Sequence, residues 1–480
     1  MKTFRLITIL VIVAPHLLVD ARAQQSMPTN MPGMSHSGQQ TPSQAGDMPG
    51  MQMKNPDEAA SSSSFLPRIG QLPTEPSGPE YRLADLEAKA LQQNPTLAES
   101  EAMVRSAQGR KLQAGLWPNP TVGYLGDEIA GGTGVNGGRQ GGFVEQAIVL
   151  GRKLYLAQQI AGSDAKIAEL EKEEQHYRVQ NAVRSAYVET LAGQELLALA
   201  DQYVKLSDST LETAQRLHNI GARDESEVAM AEIEVERAKL NAEVQRARLQ
   251  QEWENLRSLI GDPELPSGHL DGKLDADLPQ LDTQQLINSL IAESPAMKVA
   301  RQNMMRAETS VLKSRRQSVP DLRVRAGVEQ NLETNDLTGK PYGLEGFAEV
   351  RVELPIFNRN QGNVDSARAE SDRLQAETHR AELQLRREAA FAVEQYQAAR
   401  IAVERYQTEI LPRTQRLYEM QRKAWGRMAL SYPQVLLAQQ GLFTAQAEYL
   451  HALEDLKTNA VALSGFLLTD GLAAPGASGR

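Results

Sequence analysis

Soft-donor side chains are gathered in one part of the chain. Met27, Met31, Met34, Met48, Met51 and Met53 are six of its fourteen methionines, and Met31-Pro32-Gly33-Met34 returns as Met48-Pro49-Gly50-Met51. Thioethers are soft, neutral donors that favour Cu(I), and by the same softness Ag(I), over zinc; His36 adds one imidazole nitrogen. The expected chemistry is transient capture of such ions, with no resident cofactor. The plainer reading is a linker in which methionine has no task, although linkers ordinarily favour Ser, Gly and Glu. His176, His218, His269, His379 and His451 are scattered without ligand spacing and read mostly as solvated positions.

Other chemistries are excluded by composition and pattern. With no cysteine, the chain has no disulfide, thiolate metal site, cysteine nucleophile or acylated N-terminal cysteine. A net charge of −10 opposes a phosphate backbone, and no basic run with interleaved aromatics tracks one, so nucleic acid is not an expected partner. The carboxylates Glu171, Glu173 and Glu174 lie in charge-rich helical sequence and read as a solvated face. The glycine-dense stretch Gly131 to Gly142 lacks the lysine and hydroxyl of a phosphate loop. No catalytic constellation is present, and the chain is not expected to be an enzyme.

The elements that organise the chain begin with an export leader. Lys2 and Arg5 precede an apolar run from Leu6 to Val19, and Ala21-Arg22-Ala23 has the small residues of a cleavage site, which predicts a signal peptide over 1–23. Residues 24–80, rich in Ser, Pro, Gly and Met, cannot bury enough surface to fold alone. After them the sequence duplicates itself. Asn94-Pro95 returns as Ser294-Pro295, Pro120 as Pro320, Gly142-Phe143-Val144-Glu145 as Gly346-Phe347-Ala348-Glu349, and Gln215-Arg216-Leu217 as Gln415-Arg416-Leu417, with Leu259-Ile260-Gly261 echoed by Leu463-Ser464-Gly465. The order is the same in both halves, so 81–262 and 284–468 read as two copies of one unit, joined by a linker over 263–283 and followed by a flexible tail over 469–480.

Each copy predicts a helix, two strands around a loop, and a long helical hairpin, an α+β chain. The first helix spans 82 to 115 and ends at Trp117-Pro118-Asn119-Pro120. From Tyr155 to about His218 no proline interrupts a helix of roughly 95 Å, and a returning helix runs from about Glu225 to Leu259. The strands of the second copy alternate most clearly: Leu322, Val324, Ala326 and Val328 are interleaved with Arg323 and Arg325, and Ala348, Val350, Val352 and Leu354 with Glu349, Arg351 and Glu353. Such alternation suits either a half-buried soluble sheet or a strand with one face on lipid and the other on water. Four strands cannot close around a lumen, and open edges cost several kcal/mol per unpaired backbone group in lipid, so a membrane role requires strands from other copies. Arg323, Arg325, Glu349, Arg351 and Glu353 would then line a water-filled barrel lumen.

The duplication, the strand pairs after Pro120 and Pro320, Leu354-Pro355-Ile356-Phe357-Asn358-Arg359-Asn360-Gln361-Gly362, Ile410-Leu411-Pro412 and Leu430-Ser431-Tyr432-Pro433-Gln434-Val435-Leu436 with Ala438-Gln439 together resemble the TolC outer-membrane efflux family, over nearly all of 81–468. The resemblance implies a homotrimer with a twelve-stranded barrel in outer-membrane lipid and a long α-helical periplasmic tunnel. It also implies a periplasmic adaptor and an inner-membrane pump of the resistance-nodulation-division class. The helix-to-helix turns near Gly221 and Gly426 should form the periplasmic tip, where Arg216-Leu217 and Arg416-Leu417 resemble the family's adaptor-docking pattern; the plainer reading is glycine helix termination beside ordinary arginines. Asp224 and Glu225 would ring the periplasmic gate, or simply serve as first-turn acids on a helix dipole. The methionines favour copper or silver as cargo; zinc, cobalt and cadmium, or drugs, are alternatives. A more distant one is a soluble periplasmic coiled-coil scaffold with a metal-binding tail.

Overall fold

The computed structural model describes residues 78–127, 138–335 and 337–476. The expected leader over 1–23 and the cluster Met27, Met31, Met34, His36, Met48, Met51 and Met53 lie outside the described residues, as does most of the glycine-dense stretch between the first two long strands.

Proline sets the first boundary. The sequence predicts one helix over 82–115; the structure has two, α1 (Leu83–Gln93) and α2 (Pro95–Gly115), because Pro95 has no N–H to return to α1 and disfavours helix at the residue before it. Asn94 turns this break into a joint. Its side-chain oxygen accepts from the Thr96 N–H at 3.0 Å, while its amide donates to the Leu259 carbonyl at 2.7 Å. The second copy breaks at the same place, between α5 (Thr283–Glu293) and α6 (Pro295–Arg316).

In the first copy, β2 (Thr121–Asp127) and β3 (Arg139–Ile148) lead into α3 (Lys153–Asn219) and α4 (Glu225–Ile260). Spanning 67 residues, α3 is about 100 Å long. The second copy repeats this with β5 (Leu322–Thr334), β6 (Pro341–Val352), α7 (Gln361–Arg405), α8 (Leu411–Gly426) and α9 (Tyr432–Ser464). A five-residue π turn, Tyr406–Ile410, separates α7 from α8. Pro412 supplies no N–H there, and the Leu411 N–H instead reaches back five residues to the Tyr406 carbonyl.

Two-residue strands escape a search for alternation, and one pair does so here. β1 (Glu80–Tyr81) pairs in parallel with β4 (His269–Leu270), within the stretch read from sequence as a linker. The Tyr187 hydroxyl locks this pair to α3 by donating to the Asp271 carbonyl. Residues 469–476, which the sequence reads as tail, lie against the helices: the Gly471 carbonyl accepts from Thr96 Oγ1 at 3.3 Å and from Gln175 Nε2 at 3.2 Å.

The principal core is a narrow seam of small and branched residues. Val179, Val183, Ala186 and Leu191 of α3 meet Leu256 and Ile260 of α4, Leu450 and Leu453 of α9 and Tyr396 of α7. Alanine at such positions lets long helices approach closely, as in paired coils. Among the described residues, no helix is long and apolar enough to cross a membrane.

Candidate functional site

The long strands form one antiparallel sheet in the order β2-β3-β5-β6, so the two copies are joined through β3 and β5, with Ile148 opposite Leu322. Among the described residues, the outer edges of β2 and β6 are unpaired. Successive side chains point to opposite faces of a strand, and the register places like with like. One face carries Val122, Tyr124, Val144, Val328, Val350 and Val352, all exposed. The other gathers four of the five residues expected to line a lumen. Arg323 lies opposite Arg351, and Arg325 opposite Glu349. Arg323 is 3.6 Å from Glu145, Arg325 is 3.8 Å from Glu349, and Arg351 is 2.6 Å from the same carboxylate. The fifth, Glu353, is exposed just beyond the end of β6.

Sequence reasoning missed what holds Arg325. Its guanidinium lies 3.8 Å from the Phe143 ring centre and 5.6 Å from that of Phe347, the aromatics of the two copies' duplicated Gly-Phe pair. A cation over a ring face is stabilised by about 0.5–2 kcal/mol, more as it is desolvated. Glycine makes the stacking sterically feasible: a Cβ on Gly123 would meet the Phe143 ring at 2.4 Å, and one on Gly327 would meet Phe347 at 2.7 Å. The repeated Gly-Phe was a visible signal without a visible partner.

At the far ends of the hairpins the two turns share one backbone design. Ala222 N–H donates to the Leu217 carbonyl and Ala429 N–H to the Ala424 carbonyl, each at 2.9 Å, which closes α3 and α8 alike. The residue with positive φ is Gly221 in the first turn, at 71°, but Met428 in the second, at 58°. Gly426 is the last residue of α8 and does not make the turn. Arg216 and Leu217 therefore sit one helical turn from their turn, whereas Arg416 and Leu417 sit about three from theirs. The geometric counterparts of Arg216-Leu217 are Lys423-Ala424. Asp224 is the exposed N-cap of α4, with no side-chain capping bond, and Glu225 beside it is exposed.

The residues that join the two tips are Arg223 and Glu227, an i,i+4 pair not singled out from the sequence. Arg223 Nη2 donates to the Leu430 carbonyl at 2.6 Å, and Glu227 Oε1 accepts from the Tyr432 N–H at 3.3 Å. Deeper along the hairpins, buried Glu234 accepts from the Tyr203 hydroxyl at 2.6 Å and from Gln440 Nε2 at 2.8 Å. Burial, then the Glu234 carboxylate, push the Tyr203 phenol well above its ordinary pKa. Among the described residues, no group of three or more His, Asp or Glu is placed to hold a metal ion. Among the described residues the arrangement offers surfaces and a charged strip.

Comparison with known proteins places this architecture. The CusC channel superposes with a TM-score of 0.69 at 17% identity, covering 85% of this chain and 97% of its own. The open-state MtrE outer membrane channel of Neisseria gonorrhoeae gives 0.65 at 18%, covering 81% and 89%. The cobalt-zinc-cadmium resistance protein CzcC of Cupriavidus metallidurans is 25% identical over 394 residues, 82% of this chain and 91% of its own length. The nickel-cobalt-cadmium resistance protein NccC of Alcaligenes xylosoxydans xylosoxydans is 24% identical over 283 residues, 58% and 62% of the respective chains. The family model for outer membrane efflux proteins matches residues 86–262 and 286–467, one stretch for each copy of the duplicated unit. The chain thus belongs to the outer membrane efflux protein family, a family of channels and not of enzymes.

Proposed function

We propose that three copies of this chain form a passive outer-membrane duct that discharges heavy-metal cations delivered by a pump. The observation that carries the reading is the four-stranded sheet with one apolar face, one charged face and two unpaired edges. Three such sheets joined edge to edge give a barrel of about twelve strands, wide enough for a water-filled lumen that satisfies Arg323, Arg325, Glu349, Arg351 and Glu353. The helical hairpins would continue this lumen through the periplasm. Their tips, with Arg216, Leu217 and Gly221 at the first turn and Lys423, Ala424 and Met428 at the second, would meet a periplasmic adaptor, with Arg416 and Leu417 further back along α8 and Gly426 at its end; Asp224 and Glu225 would face the closing aperture. An inner-membrane pump of the resistance-nodulation-division class would supply the driving force.

Two cargo classes have support. The names of CzcC and NccC favour divalent cobalt, zinc, cadmium or nickel. The methionine-rich segment favours Cu(I) or Ag(I), which thioethers bind in preference to zinc. Deletion of the gene in its host, with growth and cell-associated metal measured over titrations of each salt, separates them. The duct reading expects tolerance to fall for at least one of these metals and to return with the full-length gene. Unchanged tolerance to all of them would refute it. Re-expression lacking residues 24–55 should fail only for copper and silver if the methionines act on cargo.

A further inference from the structure

We infer that two exposed apolar clusters at the base of the sheet, Leu116-Trp117 and Leu354 to Phe357, are halves of one contact between neighbouring copies. The contact forms when β6 of one copy pairs antiparallel with β2 of the next; the inference rests on the trimer reading above. Trp117 is 59% exposed and Phe357 91%, with Leu116, Leu354 and Ile356 each at least half exposed. Trp117 lies just before the edge strand β2, and Phe357 just after the edge strand β6. The clusters therefore flank the same end of the two open edges.

The duplication supplies the register. Inside the chain, the second strand of copy one pairs with the first strand of copy two, Ile148 opposite Leu322. The open edges are the complementary pair: β6 is the second strand of copy two, and β2 the first of copy one. Matching Gly142 with Gly346 carries Ile148 to Val352, and matching Pro320 with Pro120 carries Leu322 to Val122, which sets Phe357 opposite Trp117. Matching the copies instead by their hairpin registers, Thr121 opposite Glu145 and Arg325 opposite Glu349, moves the pairing by four residues and sets Glu353 opposite Trp117. Both alignments keep the apolar faces together, as a slip of one residue would not. In either case Trp117 falls within the segment from Glu353 to Phe357.

The internal seam also shows how the chemistry changes between copies. Within the chain the corner is pinned by polar groups: Asp321 Oδ1 accepts from the Leu150 N–H at 3.0 Å and from the buried Lys153 ammonium at 2.9 Å. Arg152 and Asn360, at φ 60° and 64°, precede α3 and α7 alike, so Gln361 stands in the place of Lys153. Thr121 stands in the place of Asp321, and Trp117 in that of Gln317. The turn after β6 is also four residues longer than the turn after β3: with Leu150 matched to Leu354, the added residues are Pro355, Ile356, Phe357 and Asn358. An ion pair inside each chain is thus replaced by a mainly aromatic and aliphatic contact between chains.

The chain has no cysteine, which gives a clean background for cross-linking. Full-length protein carrying Trp117→Cys with Phe357→Cys, or Trp117→Cys with Glu353→Cys, is purified in detergent and oxidised with diamide. At least one pair should give a covalently closed trimer that reductant dissolves, and no single-cysteine variant should. If light scattering gives a trimer and neither pair cross-links, the contact is wrong and the trimer stands; a monomeric wild type removes both. Should the cysteine variants fail to assemble, wild-type fluorescence reads the same site, because Trp253 and Trp425 are each only 3% exposed. Subtracting a Trp117→Phe baseline, the Trp117 emission should resist iodide in the trimer and become severalfold more quenchable in Phe357→Ala. Strong quenching of wild-type Trp117 by bromine-labelled phospholipid would show lipid, not a second copy, covering it and would overturn the inference.

Discussion

Replacing Glu252 by Gln should stabilise the protein at pH 8 and leave it unchanged near pH 4. Glu252 on α4 leans on the bare Cα of Gly193 in α3, and its Oε2 is buried without a hydrogen-bond partner. Its Oε1 accepts from Arg248 Nε at 3.0 Å. The same guanidinium lies 3.9 Å from Glu454 on α9, whose carboxylate is also 3.2 Å from His451 Nδ1 and is flanked by Asp455. Glu189 of α3 adds another acid. One arginine thus serves several carboxylates. Burial chiefly, then Glu454 and Glu189, outweigh Arg248 and raise the Glu252 pKa from 4.5 to about 7. Because the folded pKa is raised, the folded state holds the extra proton between these values; the stability it contributes is complete below pH 4.5 and is lost as pH rises through about 7. The shift of about 2.5 units has a ceiling of ~3.4 kcal/mol at 1.36 kcal/mol per unit, and solvent screening of this partly exposed group reduces it to about 1–2 kcal/mol. Gln keeps the shape and removes the charge. Thermal melts followed by circular dichroism in detergent should show a gain of about 1–4 °C at pH 8 and none at pH 4. A gain equal at both pH values, or a loss at pH 8, would refute the charge-crowding argument.

Met428 makes the second hairpin turn at φ 58°, where a side chain is disfavoured, so Met428→Gly should raise stability by about 0.5–1 kcal/mol in the same melts, and no gain would mean that the turn is unstrained. Tyr203→Phe removes the 2.6 Å bond to buried Glu234 and should cost about 1.5–3 kcal/mol in denaturant unfolding; a loss below 0.5 kcal/mol, on the order of noise, would mean that Gln440 satisfies the carboxylate alone. Asp224→Ala with Glu225→Ala should weaken block of single channels by multivalent cations severalfold if these acids ring the aperture, whereas unchanged block assigns them to the helix dipole.

Much of the architecture was legible because duplication and alternation survive in a single sequence. Pro120 and Pro320, and the charged alternation from Leu322 to Val352, mark strands whose facing is a matter of parity alone. Pairing is not. That Arg325 lies between Phe143 and Phe347 depends on β3 and β5 being neighbours, which neither strand reveals. At the second tip Gly426 marks the end of α8 but not the turn's left-handed residue, a position that Met428 takes two residues on. Asn94-Pro95 is both a repeat landmark and a helix break, because the proline that starts α2 disfavours helix at Asn94 and so ends α1. Arg223 and Glu227 resemble any i,i+4 surface pair until the second turn is set beside them.

Single-channel recording tests the central claim most directly. Full-length protein extracted from outer membranes in detergent and added to a planar lipid bilayer should insert as uniform units of trimer mass that carry a discrete, ohmic, multi-ion current when the tips are open. Material that is monomeric and stable without detergent, and that leaves the bilayer silent, would contradict it.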